Sequence, residues 1–243
     1  MPQNTQVRIS DSPLILGTRI LAVTVTCLAI TACSSTTPVA YQGLSSVQQL
    51  QQVKDDEKPF QYRNADTRLG YYTKILIDPV TIYDGHDAQF GSVSTEDRQI
   101  IANYMTAKFP QILGEKFSVV QTADPTAIRL HLTLTGIEKS TPVLSTISHL
   151  MPMGIVVNGG LQAAGSNGTS FGSISYAVEL SDSVTNKLLY AYVTKQTPDA
   201  LDVTASIGYL DAAKEGIRIG AKHLQDELSK NGFGAAASQN DHR

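Results

Sequence analysis

The sequence predicts an α+β fold, a single mostly antiparallel sheet of about four or five strands packed with two long helices. Three observations predict it. Residues 128–137 alternate strictly, with Ile128, Leu130, Leu132 and Leu134 set against Arg129, His131, Thr133 and Thr135. Residues 172–181 repeat the alternation through Ile174, Tyr176, Val178 and Leu180, and residues 188–194 return after a turn. Two other stretches, 94–114 and 202–230, carry apolar residues every three or four positions. Period two marks a half-buried strand; a period near 3.6 marks an amphipathic helix.

Taken in order, residues 72–83 contain Ile75-Leu76-Ile77 and then Asp78-Pro79-Val80-Thr81-Ile82, apolar on both faces, which reads as a strand covered on both sides. Pro79 cannot donate to a ladder, so an edge or a bulge is expected there. Ser94-Thr95-Glu96-Asp97 resembles a capping box with Asp97 at the reciprocal position. From it a helix runs with Ile100, Ile101, Tyr104, Met105, Phe109, Ile112 and Leu113 as one buried stripe. Pro110 is expected to kink that helix or end its regular part, and Gly114 suits its stop.

The strand over 128–137 should have one core face and one wetter face. Residues 182–186 are turn chemistry between two strands, so 172–194 reads as a hairpin. Tyr176, Tyr190 and Tyr192 fall in that hairpin and suit a sheet core. The last helix, from about Asp202 to Lys230, presents Val203, Ile207, Leu210, Ile217, Ala221, Leu224 and Leu228, with Lys214 breaking the stripe. Gly216 and Gly220, one turn apart, permit close packing on a sheet although each costs about 1 kcal/mol of helix propensity. Asn231-Gly232 ends it.

Residues 141–171 are apolar, Gly-rich and poor in charge, and include Leu150-Met151-Pro152-Met153-Gly154-Ile155-Val156-Val157. They read as a partly buried connection, or as a surface that meets lipid or another protein.

The N-terminus carries a different signal. Arg8 and Arg19 precede an apolar run over 20–30, and Ile30-Thr31-Ala32-Cys33 follows. A basic start, a short apolar segment and small residues make a secretory signal peptide over 1–32. The interval from Arg19 to Cys33 falls short of the roughly 20 apolar residues of a spanning helix. The four residues resemble the bacterial lipobox. That resemblance implies cleavage before Cys33, diacylglyceryl transfer to its sulfur and acylation of its new amine. Ile30, Thr31 and Ala32 would be the recognition residues for the signal peptidase. Ser34 would favour sorting to the outer membrane. The chain's two cysteines are Cys27 and Cys33, and Cys27 would leave with the signal. The mature protein would then have no internal disulfide despite an oxidising destination.

The domain organisation expected is therefore a signal over 1–32, a lipidated N-terminus and flexible tether over 33–58, the α+β domain over 59–233 and a loose tail over 234–243. The tether reading rests on Ser34-Ser35-Thr36-Thr37-Pro38, the Gln-rich 48–52 and Lys54-Asp55-Asp56-Glu57-Lys58. An apolar content of 42% and a charged content of 17% exclude wholesale disorder. A net charge of −3 gives no electrostatic case for a nucleic-acid partner.

Residues 41–50, Tyr62-Arg63, Tyr72, Asp78-Pro79-Val80 with Tyr83, Pro142-Val143-Leu144, Pro152, Gly172 and the run Glu179-Leu180-Ser181-Asp182-Ser183-Val184-Thr185 resemble the bacterial lipoproteins of the domain of unknown function (DUF) 3313 family. The resemblance covers about residues 41 to 230. Asn186 stands where that family's pattern leads one to expect Gly. The resemblance implies an exported, lipid-anchored envelope protein with one domain, and brings no catalytic residues with it.

Other motifs are weak. Gly168-Thr169-Ser170-Phe171-Gly172 matches G-x-S-x-G, but a hydrolase elbow needs a strand before it and a helix after it. Asp84-Gly85-His86-Asp87 gathers two carboxylates and an imidazole, without the spacing of a zinc or calcium site; a polar loop explains it. His131 lies on the wetter strand face, and His149, His223 and His242 have no partner spacing. Asn167-Gly168-Thr169 fits a glycosylation acceptor that a bacterial lipoprotein would not use. No catalytic residue, metal or cofactor is expected. The expected role is binding or support in the envelope, facing the periplasm, through the membrane anchor and an envelope protein or peptidoglycan. The alternatives are an envelope hydrolase and an oligomeric pore or export component inserting 141–171.

Overall fold

The computed structural model describes residues 38–55, 57–139, 172–198 and 208–234. Their elements run β1 (Gln51–Gln52), β2 (Phe60–Arg63), a 3₁₀ turn (Leu69–Tyr71), β3 (Lys74–Ile77), β4 (Thr81–Ile82), α1 (Thr95–Leu113), β5 (Ser118–Val120), β6 (Ala127–Glu138), β7 (Ser173–Asp182) and β8 (Leu188–Gln196). The last described element, α2, is Tyr209–Lys230.

The strands form one sheet of eight, ordered β1-β2-β8-β7-β6-β3-β5, with β4 also on β6. The expected α+β class holds, but the sheet is larger than expected and mixed. β1–β2, β2–β8, β6–β7 and β7–β8 are antiparallel. β3–β6, β3–β5 and β4–β6 are parallel. The parallel half follows from connectivity, because α1 carries the chain from β4 back to start β5 and β6 in the same direction. The strands the sequence did not announce, β1, β2 and β5, have two, four and three residues, too short for alternation to be read, whereas β4 falls within the strand expected over 72–83.

Pro79 sits in a bulge. Ile77 pairs with Leu130, and Thr81 next pairs with Thr133. One extra residue on the β3–β4 side is absorbed between them, where a missing N–H costs no ladder bond.

In α1 the Ser94 hydroxyl accepts the Asp97 N–H at 3.1 Å, as the capping reading requires. Ile101, Met105, Phe109, Ile112 and Leu113 are buried. Ile100, expected in the stripe, is 47% exposed because it lies one step beyond the face those residues define. Pro110 does not end the helix, which runs on to Leu113 with Gly114 as its cap at φ −66°. In the last turn only one intrahelical bond is forfeited.

α2 turns Ala212, Ala213, Gly216, Ile217, Gly220, Ala221, Leu224 and Leu228 inward. The close approach expected of the glycines is present. A β-carbon on Gly216 would lie 2.7 Å from Ile174 Cγ2. Both helices share one core with Ile128, Leu130, Leu132, Leu134, Tyr176 and Val178.

The opposite face of the sheet carries a second, smaller cluster of Tyr41, Leu44, Tyr83, Ala177 and Val193, joined by Val47, Leu50 and Phe60. This corrects the tether reading for the described part of that stretch: residues 41–50 lie on the sheet, and Gln51–Gln52 add a strand to its edge. Tyr41, Leu44, Val47 and Leu50 recur every third residue, and successive turns carry Leu44 N–H to Tyr41 O and Val47 N–H to Leu44 O. The polar residues between them hide a one-sided apolar stripe.

Candidate functional site

Three clusters of side chains stand out, and the first fastens the N-terminal segment. The Tyr41 hydroxyl donates to Gln89 Oε1 at 2.8 Å. Asp87 accepts the Tyr83 hydroxyl at 2.6 Å and the Gln42 N–H at 3.0 Å. The Tyr83 oxygen in turn accepts the Gly43 N–H at 2.9 Å. Burial pushes the Tyr41 phenol up to about 12. At Asp87 burial acts to raise the carboxyl, but the bonds from Tyr83 and Gln42 outweigh it and hold the group below its usual range. Of the two carboxylates of the 84–87 loop, Asp87 is thus committed to structure, in line with its reading as a polar loop. Farther along, Glu179 accepts the Ser45 hydroxyl at 2.7 Å and the Ser46 N–H at 2.8 Å.

The second cluster lies on the sheet face away from the helices. His131 Nε2 is 3.3 Å from Thr81 Oγ1, and its Nδ1 is 3.8 Å from Asp78 Oδ2. Arg129 Nε is 3.5 Å from the same carboxylate, and Arg129 Nη1 donates to Asn186 Oδ1 at 3.1 Å. Thr81 also meets Thr133 Oγ1 at 3.1 Å. The order hydroxyl, imidazole, carboxylate is that of a hydrolytic triad. At 3.8 Å, however, the last link is longer than a hydrogen bond.

The third cluster is an open cleft of about 270 Å³ at the end of the sheet where β7 turns into β8. Asp66, Thr67, Arg68, Tyr71, Tyr72, Asp182, Thr185, Lys187 and Leu189 line it. Its floor is rigid. Asp182 Oδ1 accepts the N–H of Val184 and of Thr185 at 3.1 and 2.7 Å, and its Oδ2 accepts the Tyr72 hydroxyl at 2.9 Å. The Thr185 N–H leads in holding the Asp182 carboxyl below its usual range, against burial. Burial, then the bond to Asp182, pushes Tyr72 up to about 12.

The Tyr71 ring stands edge-on to Tyr72, with centroids 5.3 Å apart at 87°, and Tyr71 is 58% exposed. The shielded Thr67 hydroxyl has no hydrogen-bond partner among the described residues. Arg68 and Lys187 form no ion pair among them either. The cleft therefore offers an aromatic surface, two cations, the carboxylate of Asp66 and an uncommitted hydroxyl.

The family model described as a protein of unknown function (DUF3313) matches residues 40–224. The chain belongs to this family. The turn that departs from the family pattern has a backbone reason for it, since Asn186 adopts φ +57°, where Gly is best suited and Asn next best. No curated protein matches the chain. Among solved structures it is similar to the PelC dodecamer from Paraburkholderia phytofirmans, at 13% identity and TM-score 0.32, over 68% of this chain and 94% of that one. It is similar to protein XCC0632 from Xanthomonas campestris at 7% identity and TM-score 0.36, over 73% and 94%. It is also similar to the lipoprotein GNA1162 from Neisseria meningitidis at 11% identity and TM-score 0.28, over 64% and 96%.

Ile30, Thr31, Ala32, Cys33 and Ser34 lie outside the described residues, as do 141–171 with Ser170, Asn167 and His149, the start of the last helix with Val203 and Ile207, and all of the 234–243 tail beyond Gly234. His86 and His223 are exposed and enter none of the three clusters. Among the described residues no helix is long and apolar enough to cross a membrane, and no three His, Cys, Asp or Glu side chains gather as a metal site. Sequence reasoning placed His131 correctly on the less covered face but missed Tyr71, Arg68 and Lys187. Nothing in their local spacing marks them, because chain reversal brings them together.

Proposed function

We propose that this family member is a lipid-anchored envelope lipoprotein whose domain is a non-catalytic binding module facing the periplasm. The leader over 1–32 would export the chain, Cys33 would carry the acyl groups, and Ser34 would direct it to the outer membrane. The Tyr71 cleft is the contact surface. The observation that carries this reading is the exposure of the Tyr71 ring on a braced floor, flanked by Arg68 and Lys187. Exposed aromatic and arginine side chains over a rigid support are what binding hot spots use. Arg68 and Lys187 beside the carboxylates of Asp66 and Asp182 favour a segment of an envelope protein that carries charges of both signs.

Photo-crosslinking in intact envelopes, with the reactive group at Thr185, tests it. A reproducible protein adduct that disappears with Tyr71→Ala is the expected result. An unchanged adduct pattern in Tyr71→Ala, or adducts to peptidoglycan alone, overturns the protein-partner reading of the cleft.

A second reading, an envelope hydrolase, is favoured by the order of Thr81, His131 and Asp78. Ester hydrolysis by the purified chain that vanishes in both Thr81→Val and His131→Ala would establish it. Loss in neither variant removes it.

A further inference from the structure

We propose that the end of the domain formed by Tyr41, the 84–90 loop and the close of β6 is the surface held toward the lipid bilayer, and that the Tyr71 cleft is the end held away from it. The inference rests on lipid attachment at Cys33 as proposed above; the rest is covalent geometry and hydrogen bonding.

The N-terminal segment has a fixed point of attachment to the fold. Tyr41 is fully buried. Its hydroxyl bonds Gln89, the Gln42 N–H bonds Asp87 and the Gly43 N–H bonds Tyr83, so three consecutive residues are fastened to the loop and to Tyr83, which opens it. That loop belongs to the end of β6. Gln89 N–H donates to Thr135 O and Ile137 N–H donates to Gln89 O, next to the strand's last residue, Glu138.

The leash upstream of this point is short. Even fully extended, the chain from Cys33 to Tyr41 reaches at most about 29 Å. β6 from Ala127 to Glu138 spans about 36 Å at a strand's rise per residue. The 182–186 turn lies at the other end of that strand, where the Ser183 N–H donates to Ala127 O at 3.1 Å. The Tyr41 end therefore cannot move more than one leash length from the bilayer, whereas the cleft end ranges a strand length farther.

Two other observations agree. Residues 140–171 contain no Asp, Glu, Lys or Arg, and the described residues that flank this stretch, Lys139 and Gly172, both stand at the Tyr41 end. The charges described at that end leave a small acidic excess, Asp84, Asp87, Glu96, Asp97 and Glu138 against Arg98, Lys139 and Lys195. Lys195 pairs with Glu138 at 2.7 Å, Lys139 donates to Ser92 O at 3.1 Å, and Asp87 and Asp97 accept the Tyr83 and Tyr209 hydroxyls. No cationic patch that would draw anionic headgroups is built in among the described residues at that end, and the leash governs the posture.

The test uses the full lipid-modified chain, reconstituted in vesicles of phosphatidylethanolamine and phosphatidylglycerol that carry an acceptor-labelled lipid. A donor dye is placed on a single introduced cysteine, Ser92→Cys at the near end or Val184→Cys at the far end, both exposed positions. Acylation occupies the sulfur of Cys33, so only the new thiol is labelled. Energy transfer to the membrane should be roughly two-fold or more greater from position 92 than from position 184, given the ~36 Å between the ends. Inserting about 20 Gly/Ser residues between Ser35 and Thr36 adds roughly 25 Å of mean reach and should bring the two efficiencies together.

Equal or reversed transfer from vesicle-bound protein overturns the orientation, and an asymmetry that survives the insertion overturns the leash as its cause. If the protein does not partition with vesicles at all, lipid anchoring itself fails, an outcome separate from the other two.

Discussion

The buried carboxylate of Glu179 accepts the backbone N–H of Ser46 at 2.8 Å and also takes the Ser45 hydroxyl. Charge-assisted bonds of this kind are stronger than neutral ones, and their loss exposes an unsatisfied donor. Glu179→Ala should lower unfolding free energy by about 2–3 kcal/mol. It should also speed amide exchange over residues 44–50 more than over β6. Urea titration with hydrogen exchange checks both; uniform exchange would mean that the N-terminal segment is not held by this carboxylate.

Gly220 faces the Tyr176 hydroxyl, which is buried and has no hydrogen-bond partner among the described residues. Gly220→Ala adds helix propensity of about 1 kcal/mol, yet the new methyl would overlap the Tyr176 oxygen. Overpacking should win, with a net loss of about 1–3 kcal/mol. Tyr176→Phe alone should cost little, since the hydroxyl bonds nothing. The double variant should recover part of the loss, and additive effects in thermal unfolding would contradict the contact.

At Asn186 the backbone is left-handed, φ +57°. Asn186→Gly should hold or slightly raise stability, while Asn186→Ala should lose about 1 kcal/mol from the same turn. If Ala and Gly melted alike, backbone strain would not explain the residue choice at this turn.

Acid should weaken the fold. Asp124 is held at about 2 by the Lys74 ammonium and then Thr126, and Asp87 and Asp182 are also lowered. A folded-state value below the unfolded one contributes stability that is complete above about pH 4 and fades as pH falls toward about 2. On the alkaline side Tyr41 and Tyr72 are raised to about 12, by burial first. Their contribution is whole below about pH 10 and is lost as pH rises through the folded value. The urea midpoint should fall on both flanks, and the acid loss should be smaller in Asp124→Asn. An unchanged midpoint down to about pH 2.5 would contradict the carboxylate assignments.

Local periodicity explains which parts of this protein were legible in its amino acids. The core-facing sets Ile128 to Leu134 and Ile174 to Leu180, the Ser94 cap and the small residues at Gly216 and Gly220 were announced by local pattern, and each is present, but the wetter face expected for β6 is buried at Thr133 and Thr135. The family pattern over 41–230 likewise agrees with the match over 40–224. What depends on distant partners was decided only in three dimensions. Glu179 meets Ser46 across 133 residues, and Tyr72 meets Asp182 across 110. β5 pairs in parallel with β3 only after a helix intervenes. Chain pattern selects which face of an element is apolar, but which other segment covers that face is a choice among distant surfaces. That choice turned residues 41–50 from an expected tether into part of the sheet's second face.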